Sequence, residues 1–421
     1  MKRKFFSIFL TLAISASLLA GCGGGAGNAT NDTIAENTTE AAIENTTEAA
    51  ASSDAIELTV WESVGGPDEF IEQASQIFTE QNPNITIKFV NVELGDAAGQ
   101  IALDGPAGIG PDLFAAPHDK LGELFSGGHV LPTSNVDRVS SDVLAACASA
   151  LTYEGTMYGY PVSAETYALF YNKDLISDED VPKTWEEVKS FCEGFNSGDK
   201  YGFMMDVKNA YYSIIFTTGQ NNRLFGPEGT DTTKTNINSP ASVEGMQYFQ
   251  GLRSILNVPS ADLGTEFTDG AFSAGSVAMY ITGPWNIKNF EDAGLNFGVA
   301  PLPSLPGNSD PVASFSGTRA MFVSAYSAYP EEAAKFAEFL ISPEMQKLRF
   351  DITGALPSVD IEVESPYIAG FTKQLQFAFP MPSIPQMGKY WDAMGAASAN
   401  IWDGADVQTE LDACDSAILS E

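Results

Sequence analysis

The sequence predicts an α/β fold, and three observations carry that prediction. "IELTVW" alternates Ile56, Leu58 and Val60 on one face of a strand. After a Gly-Gly-Pro turn, "DEFIEQASQIFTEQNP" puts Phe70, Ala74, Ile77 and Phe78 on one helical stripe, and "NITIKFVNV" then alternates again. Strand, helix, strand in that order is a βαβ unit, which implies a parallel sheet with helices on its faces.

The same grammar returns downstream. In "KTWEEVKSFCEGF" Thr184 and Glu187 stand three apart as a capping box, so a helix starts at Trp185. "GSVAMYITG" alternates Val277, Met279 and Ile281 as a strand, and "YPEEAAKFAEFLISPEMQKLRF" reads as one long helix. Trp185 at a helix start and Trp61 at a strand end read as core residues, because a large aromatic at such junctions usually fills packing space. "MPSIPQMGKYWD", Met381 to Asp392, carries prolines and Gly388 and reads as a rigid, irregular connector that delivers Tyr390 and Trp391.

Residues 1–21 read as an export signal: Lys2, Arg3 and Lys4 precede an apolar run that ends in small residues. That run is shorter than the roughly 20 residues needed to cross a bilayer. "LAGC", Leu19 to Cys22, reads as a bacterial lipobox, with cleavage before Cys22 and lipidation of that cysteine. Several acyl chains hold a protein at a membrane where one binds only marginally. Residues 22–55 contain "ENTTEAA" twice, from Glu36 and from Glu44, and read as a disordered tether. Beyond it lie roughly 365 residues, enough for two lobes with separate cores.

The formal net charge is −34, from 55 acidic and 21 basic residues, which argues against nucleic acid and anionic lipid as partners and says nothing about any one pocket. With Cys22 lipidated, Cys147, Cys192 and Cys414 remain, an odd number that implies no disulfide framework. His118 and His129 are the only histidines and have no Cys or Glu at metal-ligand spacing, so no metal or cofactor is expected. No Gly-x-Ser-x-Gly, phosphate-binding loop or dinucleotide fingerprint is present. A carboxylate pair for glycoside hydrolysis stays open, since 55 acidic residues always put some pair near a cleft.

Aromatic and polar residues at element ends form the remaining signal. "ITGPWN" puts Trp285 just past a strand, "GPDLFAAPHDKLG" puts Asp119 and Lys120 after an apolar run, and "YGYPVSAETYALFYNKDL" places Glu165 and Tyr167 between apolar segments. A sugar ring has an apolar C–H face and a rim of hydroxyls. A site for it needs aromatic plates together with carboxylates and amides.

From Ile56 to the C-terminus the chain resembles an extracellular solute-binding protein of an ABC importer, of the maltose/maltodextrin-binding type. The resemblance rests on "GPDLFAAPHDKLGEL", "YGYPVSAETYALFYNKDL", "PKTWEEV", "GAFSAGSVAMYITGPWN" and "MPSIPQMGKYW", in the family's order and near its spacing. It implies a two-lobed periplasmic-binding-protein-like fold, each lobe a mostly parallel sheet flanked by helices, with three hinge crossovers. They fall near Ser163 to Glu165, Phe315 to Arg319 and Val363 to Pro366. The N-terminal lobe is then 56–163 plus 319–364, and the C-terminal lobe 164–318 plus 365–421.

The resemblance further implies that Trp285 and Trp391 stack on sugar rings with Tyr211, that Met381 lines the pocket, and that Glu165 and Asp119 accept hydroxyls. Lys120 stands where the family example has arginine. Ala116 replaces a tryptophan, Gly65 and Gly66 an aspartate–lysine pair, Asn209 a glutamate, and Asp392 and Gly395 a tyrosine and an arginine. The implied protein catalyses no reaction. It is a monomer, lipid-anchored on the extracellular face of the bacterial membrane, that hands an oligosaccharide to ABC permease subunits. Two alternatives remain: another cargo (another sugar, a polyamine or a peptide), or a surface glycosidase using Glu165 with Asp119 or Asp392.

Overall fold

The computed structural model describes residues 55–420; the signal, Cys22 and the rest of the expected tether lie outside the described residues. β1 (Ile56–Glu62) and β2 (Ile85–Asn91) run parallel, Ile56 opposite Ile85 and Glu62 opposite Asn91, with the helix Pro67–Gln81 between them. That helix begins with proline at its first turn, followed by Asp68 and Glu69 beside its positive end. It buries Phe70, Ile71, Ala74 and Phe78, a stripe at helical spacing. Phe78 meets Phe336 edge-to-face at 4.9 Å, which ties this helix to the helix Pro330–Leu340.

β3 (Leu113–Pro117) pairs with β1 in parallel on the side away from β2. β4 (Thr152–Tyr153) and β5 (Thr156–Met157) form a small hairpin. β6 (Tyr160–Thr166) leads through Tyr167 straight into β7 (Ala168–Asn172). β8 (Tyr201–Met204), β9 (Val277–Thr282) and β10 (Phe297–Ala300) follow, then β11 (Phe315–Val323) and β12 (Phe379–Pro380). The first sheet has the order β12-β11-β3-β1-β2, with β6 also on β11; the second has the order β10-β7-β9-β8.

The two sheets serve two separate cores and make a two-lobed α/β molecule. Leu58, Phe114, Phe322 and Phe336 lie in the first core, and Phe170, Trp185, Phe249 and Trp402 in the second. β6 and β11 pass from one core to the other: Tyr160 and Val162 belong to the first core and Tyr167 to the second, while Phe315 belongs to the second and Ala320 to the first. Trp61 and Trp185 are core residues, as expected.

Three readings need correction. The mostly parallel sheet expected of each lobe holds for the first, but in the second β7 pairs antiparallel with both β9 and β10. β7 is entered directly from β6 without a crossover helix, so it runs away from the other lobe. Second, the single long helix is two, Pro330–Leu340 and Pro343–Thr353, because Pro343 cannot continue the first and instead starts the second. β9 is the strand expected over Val277 to Ile281, with all six of its residues buried. Third, the irregular stretch at Met381 ends early: the helix Met387–Trp402 contains Gly388, Tyr390 and Trp391. Its last preceding proline is Pro385, outside the helix, and one glycine costs only about 1 kcal/mol.

Candidate functional site

The turns after β3, β9 and β12, together with the helices Ala210–Ser213 and Met387–Trp402, carry most of the sequence-selected residues. β3 ends at Pro117 and is followed by a 3₁₀ turn, His118–Lys120. Both nitrogens of His118 are engaged: Nδ1 accepts from the Thr318 backbone N–H at 3.1 Å, so Nε2 carries the proton and donates to the Met381 carbonyl at 3.0 Å. Burial pushes this imidazole down to about 4, so it stays neutral and unavailable to a metal. It pins Met381, itself buried, against the first lobe.

Asp119 is 3 % exposed and accepts the indole N–H of Trp391 on Oδ2 at 3.1 Å, while its Oδ1 is buried without a partner. Burial raises this carboxyl to about 6, against the opposing pull of Lys120 and of the indole. The folded chain therefore holds a proton between pH 4 and 6 that the unfolded chain has lost. Asp119 thus favours folding at acid pH, and its contribution falls as pH rises through that window, by about 3 kcal/mol at most. Urea unfolding of Asp119→Asn and the unaltered protein should show the variant gaining relative stability from pH 4 to pH 7. Parallel curves would refute this.

The aromatic residues converge on Tyr211, the second residue of the short helix Ala210–Ser213, which the Asn209 side chain caps. Its ring centre is 6.2 Å from that of Trp285, 6.4 Å from Trp391 and 6.1 Å from Phe315, with Tyr167 edge-on at 4.7 Å. The Tyr211 hydroxyl is buried and unpartnered, like Asp119 Oδ1. Trp285 sits in the 3₁₀ turn Pro284–Asn286 after β9, with its ring over Gly283, where any Cβ would come within 2.1 Å of the indole. Asn286 fixes the turn by donating to Asp269 Oδ1 at 2.8 Å and Thr282 Oγ1 at 2.9 Å.

Glu165 is half-buried on β6 opposite Gly317, and Ser163 Oγ donates to its Oε1 at 3.2 Å. Gly317 separates it from Met381; a Cβ there would approach Met381 Cε to 3.0 Å and Glu165 Cβ to 3.6 Å. A cavity of about 500 Å³ adjoins the cluster, lined by His118, Tyr153, Leu224, Phe379, Met381 and Ile384.

Of the selected residues, Asp119, Tyr211, Trp285 and Trp391 form one cluster, with Met381 and Glu165 beside it. Lys120 stands at its rim in a 3.8 Å ion pair with Glu123. Asn209 spends its oxygen on the helix cap, and Asp392 is exposed on the helix behind Trp391. Ala116, at the tryptophan-to-alanine departure, is fully buried opposite Ala320 and presents no plate. Phe315 and His118 were not singled out as site residues; a single Phe in an apolar run and a histidine without ligand spacing carry no local signal.

Tilted indole and phenol rings beside two orphaned polar atoms have the chemistry to complement a solute with apolar and hydroxyl faces. Residues 73–369 match the model of the bacterial extracellular solute-binding proteins. The chain belongs to that family. This solute-binding protein is 30% identical over 375 residues to a galactooligosaccharide-binding protein of Bacillus subtilis, covering 86% of this chain and 88% of that one. It is 28% identical over 419 residues to a maltooligosaccharide ABC transporter solute-binding lipoprotein of Streptococcus pneumoniae, covering 93% and 91%. Its fold is similar to that of a cyclo/maltodextrin-binding protein solved with maltotetraose: the TM-score is 0.74 and the identity 33%, covering 88% of this chain and 98% of the other.

Proposed function

We propose that this protein is the sugar receptor of an ABC importer, capturing an oligosaccharide of the maltodextrin type between its lobes. One observation carries the reading: Tyr211 stands between Trp285 and Trp391, and beside these rings Asp119 Oδ1 and the Tyr211 hydroxyl lie buried with no partner. Buried polar atoms are normally paired. Sugar hydroxyls between the rings would pair both, while the indole faces cover the C–H side of the pyranose.

In this reading the lobes are 56–163 plus 319–364 and 164–318 plus 365–421, and β6 and β11 are two of the hinge passages. Cys22 carries the lipid and 22–55 is the tether on the extracellular face. Asp119 comes from the first lobe and Trp391, Tyr211 and Trp285 from the second. Only the closed arrangement completes the site, so ligand selects closure, and permease subunits read the closed shape. Solution scattering is expected to give a smaller radius of gyration with maltotetraose than without it; equal radii would count against closure.

A galactooligosaccharide is the second reading, favoured by the relative of that name and by the loss of one plate at Ala116. A thermal-shift panel of maltotetraose, a galactooligosaccharide and spermidine decides between cargoes. A ligand at 100 times its Kd adds about 2.7 kcal/mol to stability. A rise in Tm with maltotetraose alone supports the proposal, and a rise with spermidine alone overturns it. Chromatography of the same mixture should return maltotetraose intact, whereas a glycosidase would shorten it.

A further inference from the structure

β11 offers two edges for pairing. β6 takes one of them from Ser316 to Met321, and two strands share the other: β3 runs antiparallel from Arg319 to Val323, and β12 runs parallel at Phe315 and Ser316. The handover between them falls where β11 passes between the cores, since Phe315 belongs to the second and Ala320 to the first. On the β12 side the ladder is regular: the Phe379 N–H donates to the Ser314 carbonyl at 2.9 Å and the Met381 N–H to the Ser316 carbonyl at 3.0 Å. Bonds in a parallel ladder are evenly spaced, so the next would run from the Thr318 N–H to the Met381 carbonyl. His118 stands in its place. Its Nδ1 accepts from the Thr318 N–H at 3.1 Å and its Nε2 donates to the Met381 carbonyl at 3.0 Å, with the residue only 1 % exposed. The first residue beyond β3 is thus inserted into the joint between β3 and β12.

The segment that leaves this joint carries part of the candidate site, from Met381 at its start to Trp391 in the helix Met387–Trp402. Adjacent residues of one 3₁₀ turn hold its two ends: His118 takes the Met381 carbonyl, and Asp119 takes the Trp391 indole N–H at 3.1 Å. Between these holds the helix Leu121–Ser126 lies directly on the segment, because Gly122 has no side chain; a Cβ there would come within 2.2 Å of the Ser383 carbonyl oxygen. Asp119 grips a side chain, which can rotate. His118 grips main chain at both of its nitrogens and so fixes the path of the segment itself. A direct bond from Thr318 to Met381 would draw that main chain towards β11 by about the width of an imidazole ring, since both partners now stand on opposite sides of the ring.

We propose that His118 is a positioning residue for ligand capture: its imidazole, built into the ladder in place of one bond, sets the distance of the Met381–Trp391 segment from β11 so that Met381, Trp391 and Asp119 meet one sugar together. His118 touches no ligand, because both of its nitrogens are engaged and its ring is buried. The bridge needs one bare and one protonated nitrogen, a condition that burial secures by keeping the imidazole neutral. The inference rests on the sugar-binding reading and adds to it a residue that decides where the Trp391 plate stands.

Two variants of the full chain separate the two bonds. His118→Asn keeps an acceptor at the position of Nδ1, and so the Thr318 bond, but has nothing at Nε2; His118→Gln keeps a donor at the position of Nε2, and so the Met381 bond, but has nothing at Nδ1. Maltotetraose is titrated by tryptophan fluorescence, and the NMR resonance of the Trp391 indole N–H, assigned by its loss in Trp391→Ala, is followed without sugar. Each variant loses one buried hydrogen bond, so both are expected to fold with a modestly lower Tm. His118→Asn is expected to bind about tenfold more weakly, the order of one lost buried hydrogen bond, and to shift the indole resonance. His118→Gln is expected to bind nearly as tightly as the unaltered protein and to leave that resonance in place. Undiminished binding by His118→Asn, equal losses in the two variants, an indole resonance unmoved by His118→Asn, or failure of His118→Asn to fold would each overturn the proposal and leave His118 a structural residue. The unaltered protein supplies a second test: the ring nitrogens of His118, assigned by their loss in His118→Gln, are expected to show a proton on Nε2 and none on Nδ1, and the opposite tautomer would overturn the proposal. Absence of maltotetraose binding by the unaltered protein would instead refute the functional reading, while the indole and ring spectra still test the positioning itself.

Discussion

Replacing Trp391 with alanine is expected to weaken maltotetraose binding by at least about 100-fold, the effect of removing a central aromatic anchor. The indole is half-buried, with Tyr390 edge-on at 5.1 Å, Phe315 at 6.1 Å and Tyr211 at 6.4 Å. Its N–H is also the donor to Asp119 Oδ2, in the turn after β3. Truncation therefore removes a stacking face and strips the Asp119 carboxylate of its donor, so both Asp119 oxygens would then be unpartnered. The stability cost should be modest. Trp391 sits at the edge of the second core, and the helix Met387–Trp402 keeps Met387, Tyr390, Met394, Ile401 and Trp402 buried. A loss of about 1–3 kcal/mol in a chain of this size lowers Tm by only a few degrees. Fluorescence titration and calorimetry on the same preparation separate the two effects. Loss of the folded state would make Trp391 a core residue and would remove the main support for the site.

Glu62→Ala is expected to do the opposite, costing about 3–5 kcal/mol of stability, or on the order of 10 °C in Tm. Arg319 and Arg349 are 8 % and 2 % exposed, and Glu62 is the only carboxylate bonded to either of them among the described residues. Without it two like charges remain buried side by side. Burial and the neighbouring Arg319 already push the Arg349 guanidinium down to about 10, a sign of how poorly the interior tolerates the second cation. The triple variant Glu62→Ala/Arg319→Met/Arg349→Met should recover most of the loss, since apolar residues of similar volume replace a buried charged cluster at little cost. Calorimetry decides the matter: a Tm for Glu62→Ala within a degree or two of the unaltered protein would show that water reaches the cluster and screens it.

The two variants mark how much could be read in advance. Trp391 was legible because a tryptophan after a proline-rich stretch, in a chain resembling sugar receptors, carries a local pattern. The importance of Glu62 was not, because a glutamate after "LTVW" looks like any solvated strand end; its partners lie 257 and 287 residues further along the chain at Arg319 and Arg349. The same holds for His118, whose two nitrogens join a backbone N–H at Thr318 to a carbonyl at Met381. Local misreadings had local causes. Pro343 splits a pattern whose apolar spacing runs on across it, and Pro385 stands before the helix Met387–Trp402 rather than inside it.

Periodicity alone determined the first βαβ unit, the capping box at Thr184 and Glu187, and the α/β class, because backbone hydrogen bonding and burial repeat at fixed intervals along the chain. Tertiary structure alone decided the antiparallel course of β7, the hydrogen bond from the Trp391 indole to Asp119, and the burial of Arg319 and Arg349 around Glu62. Those features depend on which distant segments meet. The free energy of an orphaned hydroxyl or a buried guanidinium exists only once the chain has closed around it.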